Sequence, residues 1–310
     1  EEDIFFDTGT LSIPEMGTSF VCQMLVEAKP KRFSELIQIS GLSHGEGVWL
    51  GNAQDLIANG TCTIAEVIGT RDSIMTYLIR KGVRPGVAFE IMEIVRKGKS
   101  KILLTQEHID EMKANDVPDW YIESCKKINY MFPKAHAAAY IIGALRLAWY
   151  KIYRPLEYYA VYLGVKGEDV DAKAMVEGPA AVRSLVQNLM SLPKQEISKK
   201  QEATLSIMLI ANEMMARGIE VLPVDINLSE ERKYTIENGK LRLPFSTVEG
   251  AGANAAAALR AARDDGGGAF LSVDDFKRRA KASSTIMTAL ENMGAFEDIP
   301  KSTQLNLFDF

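Results

Sequence analysis

Apolar residues recur at helical spacing along most of this chain, and strand-like alternation is nearly absent before residue 220. Residues 1–60 read as loops and short helices, with a stop at Pro30, a helix over about 32–40 and a glycine-punctuated turn from Gly41 to Gly51. Ile74, Leu78 and Ile79, then Phe89, Met92 and Val95, predict a helical hairpin broken at Gly82–Gly86, with basic residues at its corner. Thr105, with His108 three residues on and Glu107 in the first turn, forms a capping arrangement for two short helices split at Pro118. A long helix follows, opened by Pro133 and ended by Pro155. On it Ala137, Ile141, Leu145, Ala148 and Ile152 predict a core face. Residues 170–217 read as two helices, the second stopping at Gly218, with Met208, Met214 and Met215 as core filling. "YTIENGKLRLPF" places Asn-Gly between alternating runs and is the one convincing β-hairpin. A helix after Gly252 and a companion pair in "FLSVDDFKRRAKASSTIMTALENMGAF" complete a mainly α chain.

Length then sets the organisation. A chain of 310 residues exceeds one compact helical unit, so two domains are expected. Apolar residues at 47% and charged ones at 25% suit a globular protein with a substantial core, and no apolar run reaches membrane-spanning length. The opening Glu1-Glu2-Asp3 reads as an excised piece of something larger. Cys22, Cys62 and Cys125 are too dispersed for a zinc site, which argues for a reducing, cytosolic setting.

The net charge of −5 conceals a pattern. Residues 71–101 carry eight bases against three acids, residues 102–123 six acids against one base, and Ser124–Leu156 six bases with no acid. Two basic runs flanking one short acidic helix point to a shared anionic ligand.

Three stretches carry candidate chemistry. His136, Tyr140 and Gly143 form a polar, aromatic and open stripe on the long helix. Lys134 lies in its first turn, where free N–H groups favour a phosphate and Tyr140 could sit beside a base or sugar. "VEGAGANAAAALRAAR" places Gly250 and Gly252 at a helix start, the turn of a helix-hairpin-helix that lets backbone N–H groups approach a DNA phosphate, with Arg260 and Arg263 in support. The tail "PKSTQLNLFDF" offers Leu305, Leu307 and Phe308 around Gln304, as docking peptides do. Phosphoryl transfer needs paired carboxylates holding two metal ions. Asp72, Asp110 and Asp116, on ordinary helical stretches, do not supply that pair.

The blocks "GTSFVCQML", "FSELIQISGLSHG", "VWLGNAQDLI", "MFPKAHAAAY" and "QLNLF" resemble the C-terminal part of the replicative DNA polymerase III alpha subunit, of the PolC type in low-GC Gram-positive bacteria. The resemblance covers essentially the whole chain. It implies a polymerase fingers domain over 1–165, a duplex-binding domain with tandem helix-hairpin-helix elements over 166–298, and a flexible sliding-clamp-binding tail over 299–310. Lys134, His136 and Tyr140 would meet the incoming dNTP, with Ser43 and His44 as the facing wall and Arg80, Lys81 and Arg84 as further phosphate or template contacts. Gly250, Gly252, Asn254, Arg260 and Arg263 would meet primer–template DNA, and Gln304, Leu305, Leu307 and Phe308 the sliding clamp. Magnesium would be held by palm carboxylates of the parent protein and by the nucleotide phosphates, not by this chain, so the piece alone is expected to be inactive. Other replisome subunits in the cytoplasm are further implied partners. Departures from the family pattern fall at Ala251 and Ala253, at Gly266–Gly268, and in "GEGVW" after His44. A stand-alone DNA-binding and clamp-docking module, or a helical protein-interaction scaffold, would be the competing classes.

Overall fold

The computed structural model describes residues 4–193, 195–264 and 267–302. They pack as two compact units, one of Phe6–Trp149 and one from Tyr150 onward that also takes in Ile4 and Phe5. The described residues are mainly helical, with one small sheet.

In the first unit, α1 (Ser19–Ala28) starts where the Thr18 side chain accepts from the Val21 N–H, and α2 (Phe33–His44) runs four residues beyond the expected end. A short α3 (Gln54–Ala58) leads on to the expected helical hairpin, α4 (Arg71–Lys81) and α5 (Pro85–Arg96). Gly82 turns the chain at φ +108°, a backbone region L side chains avoid, and Pro85 supplies the preset first turn of α5. Ile74 and Leu78 face Ala88, Ile91 and Val95 across the hairpin, all fully buried, each larger side chain contributing about 2 kcal/mol of apolar burial. After α6 (Ser100–Leu103), Thr105 caps α7 (Gln106–Ala114) as expected: its N–H donates to His108 Nδ1 at 3.1 Å. Pro118 separates it from α8 (Asp119–Lys127). An isolated two-residue bridge pairs Glu46 with Tyr130, tying the segment after α2 to the run that enters α9 (Lys134–Tyr153).

Helix α9 corrects the expected core face. Ala137, Ile141, Ala144 and Lys151 are buried, whereas Leu145 and Ile152 are 42% and 63% exposed. At about 100° per residue, the buried set spans an arc of about 80°, and Leu145 and Ile152 fall about 40° and about 20° outside it. The three-or-four spacing therefore holds, with Ala144 and Lys151 buried one position before Leu145 and Ile152 and Ala148 half-buried between them.

The second unit continues with α10 (Pro155–Lys166). Residues 170–217 form three helices instead of two: α11 (Ala172–Glu177), α12 (Pro179–Met190) and α13 (Lys199–Ala216). Gly178 at φ +105° followed by Pro179 splits the first, because proline cannot donate the hydrogen bond that would continue it. Met208 and Met214 are fully buried and Met215 nearly so. Glu213 of α13 pairs with Lys151, Nζ lying 2.7 and 2.9 Å from the two carboxylate oxygens, with both residues about 95% buried.

The Asn-Gly hairpin forms as expected, β2 (Thr235–Glu237) against β3 (Lys240–Arg242), with Asn238 and Gly239 both at positive φ. A two-residue strand, β1 (Val221–Leu222), adds in parallel to β3 and was not expected; it is too short to show alternation. Then α14 (Ala253–Asp264), α15 (Val273–Ala280) and α16 (Ser284–Asn292) follow. Arg279 of α15 donates to the carbonyls of Ala262, Arg263 and Gly268 and lies 4.4 Å over the Phe270 ring, bracing the glycine run after α14.

Candidate functional site

Four aromatic rings line up at the start of α9. His44 stacks on Phe132 at 4.7 Å, Phe132 meets His136 edge-on at 4.9 Å, and His136 lies 4.4 Å from Tyr140. Helical geometry sets the last contact, since residues four apart stand one above the other. His136 and Tyr140 are exposed, and Gly143 below them has nothing within 4 Å of where a Cβ would sit, so this face of α9 is open. His44 is held from behind: its Nδ1–H donates to the Ser40 carbonyl at 2.9 Å, and Nε2 lies 3.3 Å from Glu15. Ser43 Oγ donates to the same Ser40 carbonyl and sits 3.0 Å from His44 Nδ1.

The N-terminus of α9 is partly engaged. Asp72 of α4 accepts from the Lys134 N–H at 2.8 Å. The N–H groups of Ala135 and His136 have no partner within the helix, whose first bond runs from the Ala137 N–H to the Pro133 carbonyl. The Lys134 side chain is exposed beside them. Sequence reasoning placed Lys134, His136, Tyr140, Ser43 and His44 together and missed Phe132, Asp72 and Glu15. Phe132 was legible as the aromatic immediately before Pro133. Asp72 and Glu15 come from distant segments, and no local pattern signals them.

Arg80, Lys81 and Arg84 are exposed at the α4–α5 corner, about 14 Å along α4 from Asp72 at 1.5 Å per residue. Lys81 donates to the Asp116 carbonyl at 2.9 Å, and Arg84 forks onto Glu111 with contacts of 2.5 to 3.1 Å. They do not join the ring column. The acid-free run of 124–156 is also less free than its sequence implies. Lys126 pairs with Glu123, Lys127 donates to the Gly51 carbonyl, Arg154 pairs with Glu157 and Lys151 is buried on Glu213.

In the second unit, the Ala251 N–H donates to the Val248 carbonyl in the turn before α14, and Gly250 sits at φ +81°. Ala251 is buried, while Gly252 and Asn254 are exposed. The Ala256 N–H to Gly252 carbonyl bond opens the helix, leaving the N–H groups of Ala253, Asn254 and Ala255 without a helical partner. Of the two expected arginines, Arg260 is half exposed and pairs with Glu230 and Asp264. Arg263 is 11% exposed and donates to the carbonyls of Asn227 and Ser229 at 3.2 and 2.7 Å, so it braces the fold from inside. Gln304, Leu305, Leu307 and Phe308 lie outside the described residues.

Among the described residues, no group of three or more His, Cys, Asp or Glu is placed to hold a metal ion. No described helix is long and apolar enough to cross a membrane. The three cysteines are free and buried.

Residues 3–116 match the family model of the bacterial DNA polymerase III alpha subunit finger domain, and residues 218–305 that of the helix-hairpin-helix motif. The chain is 49% identical over 308 residues to the PolC-type DNA polymerase III of Halalkalibacterium halodurans, and equally so to that of Bacillus subtilis; 99% of this chain is covered in both cases. It is 46% identical over 309 residues, all of its length, to the PolC-type enzyme of Staphylococcus aureus. The chain spans about a fifth of the length of these relatives, 21% in each case.

Proposed function

We propose that this chain, which is related over its whole length to a segment of the PolC-type DNA polymerase III proteins, supplies three binding functions to a replicative DNA polymerase: incoming-nucleotide binding, duplex grip and clamp tethering. The observation that carries the first is the ring column His44–Phe132–His136–Tyr140, which rises from a helix N-terminus bearing Lys134. A triphosphate would take the Lys134 ammonium and the two first-turn N–H groups, at the helix end where the dipole favours negative charge. The base or sugar would lie against Tyr140 on the open face that Gly143 and the alanines leave clear. Ser43 and His44, fixed through the Ser40 carbonyl, would close the column at the end away from Tyr140. Arg80, Lys81 and Arg84 would serve template phosphates at the separate α4–α5 corner.

Duplex DNA would meet the exposed N–H groups that follow Gly252, with Gly250 making the turn, Asn254 in the first turn and Arg260 the outward arginine. Arg263 supports this surface indirectly, by bracing the loop beneath it. Gln304, Leu305, Leu307 and Phe308 would dock on the sliding clamp. The metal-binding carboxylates that phosphoryl transfer needs, and with them magnesium, would come from the remainder of the polymerase in the cytoplasm, so this chain alone is inactive.

Lys134→Ala in the full-length polymerase tests the first function. Removing one charge-assisted contact of about 1.5–3 kcal/mol should raise the KM for dNTP by about ten- to a hundredfold and leave primer–template affinity unchanged. Steady-state kinetics with KM and kcat both at wild-type values would sink the assignment.

A further inference from the structure

The two basic runs that the sequence separates meet at a cavity of about 630 Å³ in the first unit. Ser100 and Lys101 line it from α6, Lys126 and Lys127 from the end of α8, and Gly47, Leu50 and Leu104 complete its wall. Gly47 is obligatory there: at φ +69°, an added Cβ would lie 2.3 Å from the Lys127 carbonyl oxygen. The cavity is distinct from the ring column, and none of its residues serves the nucleotide, duplex or clamp roles.

We propose that this cavity is a binding site for a phosphate group, most simply one phosphodiester of a single strand passing the first unit. With Lys101, Lys126 and Lys127 all lining one cavity, an anion that enters it meets a locally positive field. The acid paired with them is Glu123, on Lys126 at 2.7 Å, and its side chain is 61% exposed, turned largely to water. Lys127 uses one of its three donors on the Gly51 carbonyl, which anchors its ammonium and leaves two N–H groups. Lys101 is exposed. Ser100 is 4% exposed and its Oγ is buried without a hydrogen-bond partner, a state that costs about 1–3 kcal/mol and that a change of χ1 rotamer toward an anion would relieve. An orphaned hydroxyl and lysines on one cavity wall point to the same ligand, one that both accepts hydrogen bonds and carries negative charge. Leu50, 67% exposed at the rim, suits the sugar of a nucleotide unit better than a bare ion.

The proposal does not depend on the nucleotide reading, since Lys134 takes no part. Its test uses the full chain with two probes: a fluorescein-labelled oligothymidylate followed by anisotropy across a salt series, and inorganic pyrophosphate followed by thermal shift. Lys101→Gln/Lys127→Gln and Lys101→Gln alone are compared with Lys113→Gln, which, like the single variant, removes one charge, but from a lysine elsewhere on the same unit. The double variant should weaken oligothymidylate binding about tenfold at low salt and reduce the log–log salt slope by about 1, while Lys113→Gln stays near wild type. Ser100→Ala, which removes the orphan and keeps the fold, should weaken binding by about threefold or more. Loss of the pyrophosphate shift without change in oligothymidylate binding would assign the site to a free phosphate. A double variant and a Ser100→Ala variant that match Lys113→Gln with both probes would overturn it, and Lys101→Gln alone decides the matter should the double variant fold poorly.

Discussion

Replacing Lys151 with methionine tests whether the buried pair with Glu213 is a source of stability or a debt that is only safe when settled on both sides. Both residues are about 95% buried, with Nζ 2.7 Å from the nearer carboxylate oxygen. Burial lowers the Lys151 pKa from 10.5 despite the attraction of Glu213, so desolvation outweighs the pairing. Taking away either partner strands a charge in the core. Lys151→Met and Glu213→Leu should therefore each cost about 3–5 kcal/mol, whereas the double replacement, of similar volume, should cost about 1 kcal/mol or nothing. The coupling between the two sites would then be at least about 5 kcal/mol, well beyond what exposed pairs show. Because the chain packs as two units, one urea transition is not assured. The assay is amide hydrogen exchange over 199–216, read beside far-UV circular dichroism. The pH dependence carries its own sign. Between the lowered pKa and 10.5 the unfolded chain binds the proton that the folded chain releases, so this group adds stability as pH rises through that window. Lys151→Met should lose that rise. Single variants destabilised by less than about 1 kcal/mol, or a double variant as weak as the two singles summed, would refute the reasoning.

Three further outcomes follow from the same physics. Burial pushes the Cys125 thiol up to about 12 and the Cys62 thiol up to about 11, so thiol-reactive dyes at pH 8 should label the native chain slowly at both and label the urea-unfolded chain fully. Hydrogen bonds from Arg96 and Lys97 hold the Glu93 carboxyl at about 2 instead of 4.5; its share of stability is present above 4.5 and lost as pH falls toward 2, so Glu93→Gln should flatten that part of an acid titration followed by circular dichroism. Gly82→Ala places a Cβ 2.6 Å from Asn115 Oδ1 at a φ of +108° and should cost about 1–3 kcal/mol by thermal melting; an unchanged melt would mean the α4–α5 turn relaxes freely.

Most helix ends were legible where a local signal marked them. Thr105 with His108, Pro85, Pro118, Gly82 and the Asn238-Gly239 pair each fix a boundary through their own backbone chemistry. Two misreadings share a cause. The face of α9 slid by one position because a sequence shows spacing but not which neighbour receives it. The break at Gly178-Pro179 was passed over because apolar periodicity continued on both sides. At the site, the residues of one helix were found and their supports were not. His136 and Tyr140 announce themselves four apart. Asp72 reaches the start of α9 from a segment 62 residues earlier, and Glu15 reaches His44 from a loop, contacts that exist only after folding. The arginines show the reverse error: Arg263 looks like a free cation in sequence, yet the fold spends it on the Asn227 and Ser229 carbonyls.

The ring column carries a consequence for discrimination. A stack presents faces, and all four bases have a face to offer, so a surface of this kind holds purine and pyrimidine with little preference. The polar atoms of Ser43 and His44 are directed to the Ser40 carbonyl and to Glu15, not toward the hydrogen-bonding edges where the bases differ. If a nucleotide is held here, its identity is decided by the base across from it, and the column works as an impartial clamp that leaves copying errors to be judged by the fit of the pair.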